Sequence, residues 1–369
     1  MNRNIKFGTA HADFYSTLTQ RVNGYFKASD LSRNANTAMV VKTVAVVSMY
    51  VVPYAISISG LVTSFWIYVV LSMMMGLGIA GIGFSVMHDA NHGAYSKKQW
   101  VNEFLGYSLN FMGATSFNWK IQHNVLHHTY TNIYEVDEDI SPRGTLRMSP
   151  DSPWKPFHRF QHVYAWFLYC LMTLVWVIAK DINRLTKYQR EGLVQQQRSN
   201  AAREWAILIV TKIIYINMIF VVPALVSPFS IGQIVIGFLV MHAVAGFMLA
   251  IVFQPAHVIE GTEYLMPDDH GNLENTWAIH QLHTTTNFAP NNKLLSWYVG
   301  GLNYQVEHHL FPNVCHVHYP ALSRIVKETT AEFGLPYKSK ETFLEALVAH
   351  GYLLKQLGKP EFATELATA

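Results

Sequence analysis

Long apolar runs, rather than amphipathic periods, organise this chain. From Thr43 to Met87 there is no Lys, Arg, Asp, Glu or His. That stretch is far too long for one buried core helix. A bilayer core of ~30 Å takes about 20 apolar residues of helix, so it predicts two crossings, at 39–58 and 61–86, broken near ISISG (Ile56–Gly60). A second pair is predicted at 206–227 and 231–253, separated by SPFS. A fifth apolar segment, Val163–Ala179, is barely long enough to span. The pattern predicts an all-α integral membrane protein with four transmembrane helices in two hairpins. It also sets off an N-terminal arm (1–38) and a C-terminal region (321–369) from the membrane body at 39–320.

Composition sharpens this picture. Half of the 369 residues are hydrophobic and only 14% are charged, and the charges are segregated. The two hairpin turns contain no Lys or Arg, whereas the N-terminal arm, the middle region and the C-terminal region carry nearly all of them. By the positive-inside rule those three regions are cytoplasmic. The first 38 residues are polar and the first apolar run is long enough to stay in the membrane, so no cleavable signal peptide is expected. The two cysteines, Cys170 and Cys315, form no C-x-x-C, which argues against a disulfide framework or an iron–sulfur site. The expected surroundings are a lipid bilayer, with no nucleic-acid partner.

Histidine is the candidate chemistry. HDANH places His88 and His92 just past the second crossing, QHNVLHH places His123, His127 and His128 about thirty residues on, and QVEHH supplies His308 and His309 after the fourth. In α-helices the pairs His88/His92 and His123/His127 each fall on one face. His128 then lies roughly 100° round from His127, so a tandem pair can serve two ions. Neutral imidazole suits iron, copper and zinc, and seven clustered imidazoles exceed what one ion takes. The same spacing recurs in HRFQH (His158, His162) without a tandem neighbour, and that pair reads as surface or interfacial. A shared metal site needs all three clusters on one side of the membrane. Val163–Ala179 therefore lies along the surface or re-enters, because a fifth crossing would strand QVEHH on the far side.

At these residues the chain resembles the membrane fatty acid desaturases, a di-iron family with three histidine boxes and four transmembrane helices. The likeness extends to NFMGATSFNWKIQHNVLHHTYTN, FQPAHVIE and QVEHHLFPNVCHVHYPALSRIVKE. A third box that opens on glutamine, here Gln305, resembles the front-end subgroup, which inserts a double bond between an existing one and the carboxyl end. The resemblance implies a cytoplasmic helical cap holding two iron ions, with O2 as co-substrate and two supplied electrons. Two hydrogens then leave adjacent methylenes of an acyl chain linked to CoA, a carrier protein or a phospholipid. The His-Pro-Gly-Gly haem motif of a fused cytochrome b5 is absent, so ferredoxin or free cytochrome b5 is the expected electron donor.

The implied metal set is His88, His92, His123, His127, His128, His257 (in QPAHV), His308 and His309, with Gln305 beside them. Asp89, Asp137, Asp139 and Glu307 either orient imidazole N–H groups or cap helices and meet solvent. His242 lies inside the fourth crossing, where an ionisable side chain is a functional candidate by default. His280 and His283 read as supporting or surface residues. Two other functions compete: a lipid hydroxylase or ketolase on the same scaffold, and a histidine-lined metal transporter. A transporter would place its ligands near mid-membrane, and these clusters lie beyond the crossings.

Overall fold

The structure is a computed structural model and describes residues 5–140 and 144–362. The outermost residues of the expected N-terminal arm and C-terminal region lie outside the described residues. Among the described residues four helices are long and apolar enough to cross a membrane. They are Thr37–Ile58, Phe65–Asn91, Ala201–Val226 and Ile231–His257, with mean hydropathies of 1.8, 2.0, 2.2 and 2.5. Large apolar side chains stand exposed along them, among them Val44 at 63%, Trp66 at 75%, Leu225 at 79% and Ile231 at 71%. Such a surface is stable against lipid tails and a liability in water.

The second and fourth span helices run several residues past the predicted crossings, so that His88 and His257 ride on their ends. A helix stops at a breaker rather than where apolarity stops. The second continues until His92 N–H donates to the His88 carbonyl at 3.1 Å and Gly93 turns left-handed at φ 73°.

The chain divides into two compact units. One comprises residues 36–121 and 166–250 and contains most of the span helices. Its core joins Val46, Tyr50, Met75, Ile79, Met241 and Ala245. Backbones approach closely there: a Cβ on Gly78 would meet the Tyr50 backbone N at 2.7 Å, and one on Gly76 would meet the Met241 carbonyl at 2.5 Å. Small residues permit that contact between membrane helices. The ambiguous fifth segment is two helices, Pro156–Cys170 and Met172–Arg190, bent by 59°.

The other unit comprises residues up to 35, 122–165 and 251 onward. The N-terminal arm, polar in bulk, is here a helix, Ala12–Ala28, that buries Phe14, Leu18, Val22 and Phe26. Those side chains share one core with Val306 and Leu310 of the third histidine box and with Leu322 and Val326. Arg21 fastens the arm to Glu332 at 2.6 Å. A short parallel ladder pairs Asn287 with Ser339 and Phe288 with Lys340, bringing the C-terminal region back beside the segment that supports the third box.

Candidate metal centre

The first box lies in the span-rich unit. A π-helical turn, Ile82–Val86, precedes the α-helical turn Met87–Asn91, and such widened turns recur at functional sites. The His88 and His92 rings meet edge to face with centroids 4.7 Å apart, neighbours as the i,i+4 spacing predicts. Trp119 meets both edge-on at 5.6 Å. The Asp89 carboxylate stands 3.7 Å from His88 Nδ1, beyond hydrogen-bond reach.

The second box departs from the expected α-helix. Lys120–His127 is π-helical, and His128 N–H donates to the His123 carbonyl five residues back at 2.9 Å. A π-helix turns roughly 80° per residue, so His127 and His128 fall on either side of the direction of His123. All three imidazoles therefore share one face, whereas an α-helix would have turned His128 away from His123. The extra residue per turn is the device that gathers an H-x-x-x-HH motif.

The third box occupies the helix Gln305–Leu310, with Gln305, His308 and His309 all buried. Ligand nitrogens of His127, His257 and His309 lie within 4.8 Å of one another, and so do those of His128, His308 and His309. His128 Nε2 is 3.2 Å from His123 Nε2 and 3.0 Å from His308 Nε2. Imidazole nitrogens that face each other at this range need a shared proton or a cation between them.

The opposite ring nitrogens are held by neighbours. His127 Nδ1–H donates to Asp137 at 2.9 Å, and His309 Nδ1–H donates to the Gln281 side-chain oxygen at 2.7 Å. His308 Nδ1 pairs with the Tyr319 hydroxyl at 3.2 Å. Longer contacts of 3.4 Å join His123 to Asp139 and His257 to the Thr284 carbonyl. With Nδ1–H so engaged, the Nε2 lone pairs of His127 and His309 face inward, buried and without a hydrogen-bond partner. Imidazoles oriented this way, with one nitrogen held by a partner and the other turned inward, are the donor set of a transition-metal site, so these clusters can hold metal.

Electrostatics divides the set: burial opposes charge on His127, but Asp137 and Asp139 outweigh it and raise its pKa, so a proton and a metal compete for its inward nitrogen. Burial opposes charge on Asp137, but His127 and the backbone N–H groups of Asn132 and Asp139 hold its pKa below the usual carboxylate range. Burial, reinforced by His128 and the other imidazoles around it, pushes His309 well below the ordinary value and keeps it neutral. Gln305 Nε2 lies 3.0 Å from His257 Nε2, while the other end of its amide, Oε1, is buried without a partner.

The remaining candidates are held by partners of other kinds. Glu307 meets no imidazole: Asn287 and the Tyr337 hydroxyl donate to its two oxygens at 2.8 and 2.9 Å. Asn287 also accepts from Val306 N–H at 2.9 Å, so this group anchors the start of the third-box helix. His280 donates through Nε2 to the Thr131 carbonyl at 2.7 Å, and His283 pairs with Glu263 at 2.6 Å. His242 has the partners the sequence did not name, the Tyr215 hydroxyl at 2.6 Å and Thr173 Oγ1 at 3.1 Å. Gln281 and Tyr319 were missed because neither residue type signals a metal site. Their only clue is proximity to histidine-rich stretches.

Glu307 carries a pH prediction. Burial raises its pKa to about 7, above the unfolded value of about 4.3. The native state therefore holds the proton more tightly, and the stability it contributes at acid pH is lost as pH rises through 7. The melting temperature of the metal-free protein should fall between about pH 4.5 and pH 7 and level off above that. Glu307→Gln, which keeps the shape and cannot ionise, should flatten that fall, and an unchanged slope in the variant would contradict the assignment.

Comparison with known proteins identifies the family. The sequence profile described as fatty acid desaturase matches residues 63–341. A protein named sn-1 linoleoyl-lipid 6-desaturase from Arthrospira platensis is 38% identical over 353 residues, covering 96% of this chain and 94% of the relative. One of the same name from Synechocystis is 38% identical over 358 residues, covering 96% and 98%. An acyl-lipid (8-3)-desaturase from Physcomitrium patens is 35% identical over 356 residues, covering 95% of this chain and 72% of its own. Histidine clusters fit for metal, four membrane-length helices and these likenesses lead to one conclusion: the chain belongs to the fatty acid desaturase family and is an oxidoreductase, a front-end fatty acid desaturase.

Proposed function

We propose that the chain binds two iron ions through His88, His92, His123, His127, His128, His257, His308 and His309, and that it desaturates acyl chains carried on a glycerolipid. The observation that carries the metal reading is the convergence of buried imidazole nitrogens whose opposite nitrogens are already tied. Lipid-linked substrate is inferred from the relatives, whose names specify acyl-lipid or linoleoyl-lipid desaturation. Bound iron supplies the oxidant, drawing on O2 and two external electrons, that an unactivated C–H bond demands.

The chain's own residues do the rest. Asp137, Gln281 and Tyr319 fix which imidazole nitrogen faces the metals. The apolar packing around the boxes excludes water from the reacting methylenes. Gln305 replaces a ninth imidazole with a weak amide donor beside His257, so this side of the site binds metal or a metal-held water loosely. The four span helices form two hairpins and the charged regions lie on the cytoplasmic side, within reach of ferredoxin or free cytochrome b5. On this reading the bent segment 156–190 re-enters or lies along the surface, and 39–320 is the catalytic body between two packed terminal regions.

Expression in a host with defined lipids, followed by mass-spectrometric location of double bonds, tests the proposal. The expected product carries a new cis double bond between an existing one and the carboxyl end, recovered in the glycerolipid fraction. A hydroxylated product, or a bond inserted on the methyl side, would overturn it.

A further inference from the structure

Lys212 is an ammonium in the middle of the third span helix, Ala201–Val226. A cation at such a depth is expensive and persists where it is paired and has a task. Its Nζ lies 3.0 Å from the Asp181 carboxylate, and it also donates to the carbonyls of Trp176 and Val177 at 3.1 and 2.9 Å. Those carbonyls belong to the π-helical turn Trp176–Lys180. Side chains of neighbouring helices commonly satisfy backbone groups that irregular turns leave exposed at membrane depth. A fourth contact reaches the carbonyl of Gly113 at 2.5 Å.

Asp181, 1% exposed, extends the same network toward the histidines. Its other carboxylate oxygen accepts from Thr115 Oγ1 at 3.0 Å and from Asn118 Nδ2 at 3.3 Å. The Asn118 amide also donates to the Asp181 carbonyl at 2.9 Å. Both ends of the turn from Gly113 to Asn118 are thus tied to one buried ion pair. The next residue is Trp119, whose backbone N–H donates to Thr115 at 3.1 Å. Its indole is the ring that stands edge-on to both His88 and His92.

We propose that Lys212 and Asp181 are positioning residues for the first histidine box: they fix the 113–119 turn so that Trp119 holds the imidazoles of His88 and His92 in place. The inference rests on the proposed role of those two histidines as metal ligands. It assigns a function to an ion pair that touches neither histidine itself. Removing one partner leaves the other charge buried and alone, which is strongly destabilising, whereas removing both is often tolerated. The informative variant is therefore the double one, Lys212→Met with Asp181→Asn.

The test uses the full-length protein in detergent or nanodiscs with Co(II) as the probe, read by chelator competition and by its visible absorption spectrum. The double variant should bind Co(II) about tenfold or more weakly, the scale for lost outer supports of a metal site, and its absorption bands should shift. Trp119→Phe, which removes no charge, should shift the bands in the same sense, and Lys212→Arg should restore near-native binding. Lys187→Met, at an exposed pair with Glu191, should change neither readout. Native affinity and spectrum in the double variant overturn the proposal, whatever its melting temperature. If that variant does not fold, native binding in Trp119→Phe overturns it instead. His88→Ala separates the two ideas: full Co(II) retention there would remove the ligand reading itself.

Discussion

Replacing His309 with alanine is expected to abolish turnover, lowering activity by at least about 10³-fold, and to remove metal from the protein. His309 belongs to both buried nitrogen groups of the third box, one with His127 and His257 and the other with His128 and His308. No other residue is shared by these two, so its loss disturbs both positions at once. The imidazole is completely buried, and its inward nitrogen has no hydrogen bond to lose. The stability cost should then be that of a cavity, about 2–5 kcal/mol, plus the hydrogen bond lost to Gln281, about 1 kcal/mol, while the chemical cost is total. Metal analysis and product formation on the purified variant check this. His270→Ala, in an exposed turn, serves as the control and should match the wild type.

The second large effect concerns Asp137. Its carboxylate accepts from His127 Nδ1–H, from Asn132 N–H and from Asp139 N–H, each at 2.9 Å. It thereby orients one imidazole and closes the loop that follows the second box. Asp137→Asn keeps the volume but removes the charge that stabilises the inward lone pair of His127. A fall of about 10–100-fold in metal affinity is expected, as for other outer partners of ligating histidines. Asp137→Ala also strands two buried N–H groups at about 1–3 kcal/mol each, so it should lose metal and melt well below the asparagine variant. Equal metal affinity in the asparagine variant and the wild type would show that Asp137 only closes the loop.

The span helices were legible because charge-free runs of bilayer length have few other solutions. The histidine boxes were legible because their spacing is tied to helical geometry. The sequence could not show which helical geometry, and the second box is π-helical, which changes how His123, His127 and His128 share a face. Imidazole partners were less visible. Asp137 lies only ten residues from His127 and is a residue type that signals a metal site, but Gln281 is 28 residues from His309 and carries no distinguishing residue type. Lys212 is a lone cation in an apolar run, and its meaning depends on Asp181, Gly113 and Asn118, which only the fold brings to it. The N-terminal arm shows the converse. Phe14, Leu18, Val22 and Phe26 recur at i,i+4 spacing, but the polar bulk of the segment hid a helix that packs into the core of the third box.

Gln305 keeps its place as the residue that departs from an all-histidine set. Its amide nitrogen faces His257 and its oxygen is unpartnered within the buried cluster, which suits a weak or water-mediated contact better than a structural bond.

The central claim is that eight histidines hold two metal ions in one chain. Metal analysis of the full-length, reconstituted protein, paired with acyl product analysis on the same sample, tests it most directly. Close to two irons per chain are expected, with activity rising in step with iron content. A fully active preparation that holds one iron per chain, or none, would contradict it.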